Sequence, residues 1–400
     1  MSGRDRSGKS GVHLNAGLMV LFVVMVFSTA GAIHYQTPML GRMAAEFGAS
    51  PAAIGWVATL SFGGFLAGTV LLVPLGDCYD KRNLILVQMG GLVVALLAMA
   101  AAPTLPLLAA AAFIVGICCS VSQHVTPIAS ELAAPHVRGR TVGTVLSGVF
   151  VGILFARLAG GLVAELTNWR WMYVFAAAMV LLMWFAVYAR LPSAPPKTDL
   201  SYADLVRSMA QLWRAHPPMR RASVIQFLLG IGYGGFWATL AGMLVLLHGL
   251  GPGAAGLMAI PGAAGILVSR PAGRWMDRAG AAPVVIAGVF GMIAAFAVLS
   301  LATFWVGAVI VGAVLLDCGL SAAMVANQTL VIESNPAARS RASTIFSAHI
   351  WGGNAVGALL ASLALAHAGW LAVCAISLGA AAVALIIGWR DLARPGGTSV

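Results

Sequence analysis

The sequence predicts an all-α membrane protein of twelve transmembrane helices arranged as two pseudo-symmetric six-helix bundles. Three observations predict this fold: an apolar composition, an alternating distribution of basic residues, and a repeat that relates the two halves of the chain. Of 400 residues, 60% are hydrophobic and only 9% are charged, whereas soluble domains carry about 25% charged residues. Because a soluble protein this apolar would expose large hydrophobic patches and aggregate, a lipid bilayer is the expected environment.

Twelve apolar stretches are long enough to cross a bilayer, which requires about 20 residues. The first could also be a signal peptide, because it follows basic residues and contains small residues near its end. We interpret it as an uncleaved helix, since the repeat described below needs it. The predicted spans lie near residues 16–38, 53–74, 84–102, 106–130, 141–164, 170–190, 222–247, 254–272, 283–301, 304–331, 342–366 and 369–389.

The basic residues test this list of spans. If the N-terminus is cytoplasmic, all but three of the 23 Lys and Arg residues fall in cytoplasmic segments, the exceptions being Arg42, Arg157 and Arg170. Cytoplasmic loops of membrane proteins are enriched in Lys and Arg, so we expect both termini in the cytoplasm. The net charge of +11 then reflects topology, and we expect no nucleic-acid partner.

The two halves of the chain repeat each other. Trp169 recurs 201 residues later as Trp370. This relation predicts two six-helix domains, 1–190 and 222–400, joined by a cytoplasmic linker at 191–221 with a surface helix near residues 202–213. Four residues around the loop after helix 2 recur 197 residues later around the loop after helix 8, where Gly68, Pro74, Gly76 and Asp80 correspond to Gly265, Pro271, Gly273 and Asp277. Parallel repeats of this kind suit alternating access around a midplane site.

The repeated loops carry a family resemblance. Both resemble the Gly-x-x-x-Asp-Arg/Lys motif of the major facilitator superfamily, although the first copy lacks the later Gly-Arg-Arg of that family. The resemblance implies that the loop charges latch the two halves in one facing; a cluster that only fixes topology is the compatible alternative. The residues involved are Gly76, Asp77, Asp80, Lys81, Arg82, Gly273, Arg274, Asp277 and Arg278.

Helix 5 carries a second resemblance. Its spacing of Gly143, Gly152 and Gly160-Gly161 is similar to the antiporter motif of drug–proton exporters, with Ala156-Arg157 where that motif has Gly-Pro. The chain looks like the bacterial twelve-helix drug/metabolite:proton antiporter group, including its arabinose-efflux-like members. The resemblance implies a bacterial inner-membrane protein that exports small molecules in exchange for protons, and we expect a monomer.

Asp317, near the middle of predicted helix 10, is the first candidate for the mechanism. A charge at the bilayer centre costs at least about 2.5–3.5 kcal/mol on insertion scales, so such a residue faces a cavity or a partner. An apolar environment favours the protonated carboxyl, which makes Asp317 a candidate proton carrier. A fixed ion pair or hydrogen bond to a neighbouring helix is the alternative. Ser321, Met324 and Gln328 share its helix face.

Two other intramembrane residues could act with Asp317. Arg157 in helix 5 stays protonated, so it could hold an anionic substrate group or act on a carboxylate; a structural pair with Glu165 is the alternative. His124 in helix 4 could titrate at physiological pH, although a lone His in an apolar helix is more often simply hydrogen-bonded.

The resemblance further implies that helices 1, 4, 7 and 10 line the substrate cavity. Each of them has a polar or aromatic cluster, and helix 11 adds two polar residues. Packing between helices is the alternative role for any one of these side chains. The cavity-lining candidates are Tyr35, Gln36, Gln123, Gln226, Tyr233, Trp237, Ser321, Asn327, Gln328, His349 and Asn354.

These observations favour proton-coupled export of a small-molecule substrate. Uptake of a metabolite, or uncoupled facilitation, is the alternative within the same fold. A membrane sensor or enzyme is the alternative from another class, but the longest polar segment is too short for a soluble domain. The sequence has no Walker loop and no zinc-type Cys/His spacing, so we expect no cofactor, no metal and no enzymatic activity.

Overall fold

The computed structural model describes residues 15–193, 201–335 and 338–392. In these ranges every regular element is helical and no strand occurs. Eleven helical segments are long and apolar enough to cross a membrane. The last of them, Arg339–Arg390, has 52 residues and is divided by Gly369, whose backbone is not helical (φ 77°, ψ −170°). The described chain is therefore a multi-pass membrane protein with twelve spans, which confirms the predicted count.

The spans of the first half agree with the predicted ones to within a few residues, except that helix 1 continues about nine residues further. Helices 1, 2 and 4 each consist of two segments. The bounds are Ala16–Gly31 and Gln36–Phe47 for helix 1, Pro51–Leu71 and Leu75–Cys78 for helix 2, Lys81–Ala101 for helix 3, Leu105–Cys119 and Ser122–Leu132 for helix 4, Arg138–Leu166 for helix 5, and Trp169–Arg190 for helix 6.

The second half follows an amphipathic linker helix, Tyr202–Ala215, close to its predicted position. Helix 8 is the most interrupted span, with three segments. The bounds are Pro217–His248 for helix 7; Pro252–Leu257, Ala259–Gly262 and Gly265–Ala279 for helix 8; Ala281–Leu299 for helix 9; Gly307–Glu333 for helix 10; and Arg339–Leu392 for helices 11 and 12, which meet at Gly369.

Local sequence signals set many of the helix ends. The Asn15 side chain accepts a hydrogen bond from the Leu18 backbone N–H at 2.8 Å and caps helix 1. Asp80 caps helix 3 in the same way, by accepting from the Arg82 N–H at 2.8 Å. Such caps satisfy backbone N–H groups that have no partner within the helix. Helix 1 ends at Gly48, which adopts the left-handed conformation (φ 58°) that favours glycine.

Consecutive helices alternate in direction and define two sides of the protein. The basic side carries the helix connections at 79–80, 133–137 and 280, and the opposite side carries those at 48–50, 102–104, 167–168 and 249–251. Each half packs around its own hydrophobic core. The halves meet mainly through helix 2 against helix 11 and through helix 5 against helix 8, so any cavity between the halves is bounded by these helices.

Candidate functional site

A central cavity of about 180 Å³ lies where the two halves meet, between helices 1, 5, 7, 8, 10 and 11. Most of its lining is apolar, and helix 5 contributes Phe150 and Leu154. A largely apolar cavity with a few converging polar groups is the usual form of a small-molecule site. The polar side chains that line it come from both halves: His34, Arg157, Gln226, Tyr233, Asp317, Ser321 and Asn354.

Two aromatic side chains of helix 7 hold Arg157 in place. Its guanidinium carbon lies 3.4 Å from the ring centroid of Trp237, and its Nη2 donates a hydrogen bond to the Tyr233 hydroxyl at 3.3 Å. Stacking on a desolvated aromatic ring stabilises a cation by about 2 kcal/mol, which offsets part of the cost of burying Arg157. Glu165, the alternative partner considered from the sequence, instead accepts a hydrogen bond from the Gly253 backbone N–H at 3.1 Å.

Asp317 faces the same cavity from helix 10. Its Oδ2 atom is buried and has no hydrogen-bond partner among the described residues, and within them its carboxylate makes no ion pair with Arg157. The breaks in helix 8 bring backbone close to it, because a Cβ atom built on Gly262 would lie 3.2 Å from Oδ2. The cavity therefore holds a cation and a carboxyl group that are not joined directly.

A hydrogen-bonded pair joins helices 7 and 10 beside the same cavity. The Asn327 side chain donates from Nδ2 to the Gln226 Oε1 atom at 3.3 Å and thus supports Gln226 from behind. The Gln226 Nε2 atom is buried without a partner in the described structure, and so is the Asn354 Oδ1 atom. Ser321 lines the cavity one turn beyond Asp317, whereas Gln328 is not among its lining residues.

Six other residues that the sequence predicted for the cavity lie outside its lining, namely Tyr35, Gln36, Gln123, Trp237, Asn327 and His349; three of them belong to helices 1 and 11. Tyr35 is fully buried in the core of the first half. Gln36 accepts a hydrogen bond at Oε1 from the Ser61 hydroxyl at 3.3 Å. His349 contacts the carbonyl oxygen of its own helix one turn earlier and stacks on Trp213 of the linker helix, with ring centroids 6.0 Å apart. The rotation of helices 1 and 11 turns these side chains toward neighbouring helices.

Sequence reasoning missed three aromatic residues of the cavity, His34, Phe150 and Trp351. The ring centroids of His34 and Trp351 are 6.4 Å apart, and Trp351 also packs against Phe65 with a centroid distance of 4.0 Å. His34 precedes the predicted Tyr35 by one residue and lies in the break of helix 1 between Gly31 and Gln36. Gly31 was a sequence signal for this break, since glycine weakens a helix. The direction in which His34 points depends on the geometry of the break, which the sequence does not give.

A second cavity, of about 500 Å³, opens between the halves at the basic side. His124 lies there, with its Nε2 atom 3.3 Å from the Gln88 Nε2 atom. Lys81 forms an ion pair with Glu131 at 3.3 Å. Of the three residues predicted for coupling, only Arg157 and Asp317 share the central cavity. The residues of the first half that line the basic-side cavity include Asp77, Lys81, Gln123, His124 and Glu131.

The two copies of the loop motif have different surroundings. In the first copy Gly76 packs against a helix-4 side chain, because a Cβ atom there would lie 2.9 Å from the His124 Nδ1 atom. Asp80 also accepts a hydrogen bond from the Ser193 hydroxyl, and Arg82 donates from Nη2 to the Tyr188 carbonyl oxygen at 2.7 Å. In the second copy Gly273 is half-buried, and the charged residues are exposed: Arg274, Asp277 and Arg278.

At the opposite side the halves are in close contact where helices 5 and 8 cross. A Cβ atom on Gly161 would lie 2.5 Å from the Pro252 carbonyl oxygen and 2.9 Å from the Gly256 Cα atom, whereas ordinary contacts begin at 3.4 Å. The hydrogen bond from Gly253 to Glu165 joins the same two helices. The described conformation is thus closed at the opposite side where helices 5 and 8 cross, and the basic-side cavity is the larger of the two described above.

Comparisons with known proteins agree with this architecture. The chain matches the family model described as Major Facilitator Superfamily over residues 18–269 and 222–399. It is 29% identical over 392 residues to an uncharacterized transporter, YgaY, of Escherichia coli O157:H7, covering 96% of this chain and 97% of that protein. It is 33% identical over 419 residues to a probable transporter of Streptomyces coelicolor, covering 98% and 91%. The solved structure of a D-xylose-proton symporter gives a TM-score of 0.73 at 17% identity, covering 96% and 99%.

Proposed function

The chain belongs to the major facilitator superfamily, and from this premise we propose that it exports small organic molecules by proton-coupled alternating access. Members of this superfamily are transporters, so we propose no enzymatic activity. The positive-inside rule supports a location in the bacterial inner membrane with both termini in the cytoplasm. On this assignment the basic side faces the cytoplasm, and the protein acts as a monomer.

The observation that carries the proposal is the placement of Asp317. It lies in the cavity between the halves, and its Oδ2 atom has no partner in the described part of the chain. A structural ion pair would hold its carboxylate permanently charged, whereas an unpaired carboxyl group in an apolar cavity can alternate between charged and neutral forms. Asp317 can therefore load a proton on one side of the membrane and release it on the other.

Alternating access follows from the contacts between the halves. We assign residues 1–190 and 222–400 as the two units that rock against each other, with 191–221 as the linker. Opening to the outside requires the helix 5–helix 8 contact at Gly161 to separate, while the basic-side cavity closes around Asp77 and the Lys81–Glu131 pair. The loop residues would then set the balance between the two facings without touching the substrate.

The test is a flux measurement on purified protein. A thermal-shift screen first identifies compounds that bind the folded state, because such compounds raise its apparent stability. Their flux into proteoliposomes is then measured with an imposed pH gradient. The Asp317→Asn variant keeps the size of the side chain but cannot ionise, so we expect it to abolish flux driven by the gradient. A well-folded variant with wild-type pH-driven flux would exclude Asp317 as the proton carrier.

The same assay separates export from the alternatives. An exporter that exchanges substrate for protons moves its substrate toward the acidic compartment, against the flow of protons. Proton-coupled uptake would move substrate and protons in the same direction, and uncoupled facilitation would not respond to the gradient. Protease treatment cleaves only termini that are exposed outside the vesicle and so measures the fraction of protein with its basic side outward. Comparing flux with this fraction gives the direction of transport relative to the two sides of the protein.

A further inference from the structure

The central cavity contains two oppositely charged side chains that lack some of their hydrogen-bond and ion-pair partners. In the described structure Arg157 makes a single side-chain hydrogen bond, to Tyr233, and its Nε atom has no partner. Asp317 makes none through Oδ2. A buried charge is costly unless it is paired, and these two side chains are not paired with each other. A ligand that carries both an anionic and a cationic group would satisfy both of them at once.

Two other buried polar atoms of the cavity lining have no partner in the described structure. The Gln226 Nε2 atom is a donor, and the Asn354 Oδ1 atom is an acceptor. Donors are suited to a carboxylate on the ligand, and acceptors are suited to an ammonium group.

The remaining lining restricts the rest of the ligand. Phe150, Ile153 and Leu154 of helix 5 face Leu320 and Met324 of helix 10 across the cavity. These side chains offer no hydrogen bonds, so the part of the ligand between them must be apolar. The cavity volume of about 180 Å³ further limits the ligand to a small molecule.

We propose that the substrate is a small amphipathic zwitterion, an apolar amino-acid-like molecule whose carboxylate binds Arg157 and whose ammonium group binds Asp317. A cation without a carboxylate would leave Arg157 unneutralised beside it, and an anion without an amine would leave the Asp317 carboxylate unpaired. Either omission carries the penalty of a buried unpaired charge.

This substrate class rests on the proposed export function and gives it a coupling step. The ammonium group and the proton bind the same atoms of Asp317, so they exclude each other. When the proton arrives from outside, the Asp317 carboxylate accepts it and releases the ammonium group; when the proton leaves to the cytoplasm, the site becomes free for a new ligand. The Arg157 interaction stays available in both steps, since its guanidinium does not titrate.

Binding of a matched series of compounds tests the proposal. L-phenylalanine has both charges, 3-phenylpropionate lacks the amine, and 2-phenylethylamine lacks the carboxylate; three analogues with the isobutyl group of leucine form a second series. Each is titrated into the purified full-length protein and followed by calorimetry. Charge-assisted hydrogen bonds are strong, so we expect each zwitterion to bind at least about tenfold more tightly than either singly charged analogue.

Variants assign each charge to its partner. Arg157→Gln should remove the advantage of L-phenylalanine over 2-phenylethylamine, while Asp317→Asn should remove its advantage over 3-phenylpropionate. Arg157→Lys keeps the positive charge, so it should retain part of the preference for L-phenylalanine over 2-phenylethylamine. It replaces the Gln variant in the experiment if that variant does not fold. The matched controls are Arg214→Gln and Asp204→Asn, two exposed residues of the linker helix, which should bind as the wild type does.

The outcomes separate this inference from the export proposal. A singly charged compound that binds as tightly as its zwitterion, or no binding by either series to folded protein, would overturn the substrate class and leave the flux result unaffected. Zwitterion binding with the expected variant pattern supports it. The zwitterion's affinity should also fall as the pH is lowered, because protons compete with its ammonium group for Asp317, which shares the cavity with His34, Arg157 and Tyr233. If the affinity stayed constant through the pH range in which flux depends on pH, the ammonium group would not bind Asp317 and the substrate class would be overturned.

Discussion

Two adjacent glycines of helix 5 pack against different halves of the protein, and this makes a paired substitution informative. A Cβ atom on Gly160 would lie 2.6 Å from the Tyr35 carbonyl oxygen of helix 1, in the same half. A Cβ atom on Gly161 would lie 2.5 Å from the Pro252 carbonyl oxygen of helix 8, in the other half. Ordinary contacts begin at 3.4 Å, so either alanine requires the backbones to separate by about 1 Å.

Overpacking of this kind costs about 1–3 kcal/mol, but the cost falls on different equilibria. In the proposed rocking motion helices 1 and 5 stay together in both facings, so Gly160→Ala should lower the free energy of unfolding. In the same motion helices 5 and 8 meet only when the opposite side is closed, so Gly161→Ala should penalise that facing alone. A free-energy difference of about 1.4 kcal/mol changes an equilibrium constant tenfold. An overpacking cost of that size should therefore raise the population that is open at the opposite side about tenfold.

The assay is the labelling of a single cysteine with a membrane-impermeant maleimide. Ala238 of helix 7 is buried and lines a cavity at the opposite side, so Ala238→Cys in a background without the five native cysteines reports opening there. Gly161→Ala should speed labelling about tenfold, as a penalty of about 1.4 kcal/mol implies, and it should also lower Tm, because a tenfold rise requires that the penalised facing predominates in the folded protein. Gly160→Ala should lower Tm without changing the labelling rate.

The matched control is Gly379→Ala, because a Cβ atom on this glycine of helix 12 meets nothing within 4 Å. It should change neither the labelling rate nor Tm. If Gly160→Ala and Gly161→Ala had the same effects on both measurements, the helix 5–helix 8 contact would not distinguish the two facings, and the assignment of the rocking units would be wrong.

Three further predictions address topology, gating and the site. A cysteine at Gly249 should react with an impermeant thiol reagent added outside cells, and one at Ser193 should not; the reverse pattern would overturn the proposed orientation. Asp77→Asn should leave the protein inserted and folded but slow the exchange between facings, measured as flux per folded molecule, and unchanged flux would remove the gating role. Trp237→Leu removes the ring 3.4 Å from the Arg157 guanidinium, so it should weaken L-phenylalanine binding by about tenfold; unchanged affinity would show that the stack does not position Arg157.

The spans and the main charged residues of the site were predictable from the sequence because each depends on one property. Transfer of apolar side chains to lipid fixes which stretches cross the membrane, so the twelve predicted spans agree with the observed helices. An intramembrane charge must avoid lipid whatever the fold, so Asp317 and Arg157 could be selected without knowledge of the packing. Their presence in one cavity was not predictable, because it depends on how the two halves dock.

Side-chain direction was harder to predict, since it depends on helix rotation and on interruptions. His34 was missed although Tyr35 and Gln36 were selected. The break in helix 1 rotates the chain, and the angle of this rotation cannot be derived from the spacing of residues in the sequence. His349 was selected for its polarity, yet it lies against Trp213 of the linker helix. A polar residue in a membrane helix needs a hydrogen-bond partner. That partner can be a ligand or a neighbouring helix, and the sequence does not show which of the two it is.

Arg157 connects the site to the contact that must open. Its side chain lines the cavity and stacks on Trp237. Its backbone lies in the crossing of helices 5 and 8, where a Cβ atom on Gly256 would be 2.7 Å from the Arg157 carbonyl oxygen. One turn of helix 5 therefore carries both the cation of the site and part of the opposite-side contact. A ligand can shift the balance between facings only if it binds them with different affinity. Because separation of helix 8 from this turn changes the surroundings of Arg157, a ligand that engages its guanidinium has the differential contact that such a shift requires.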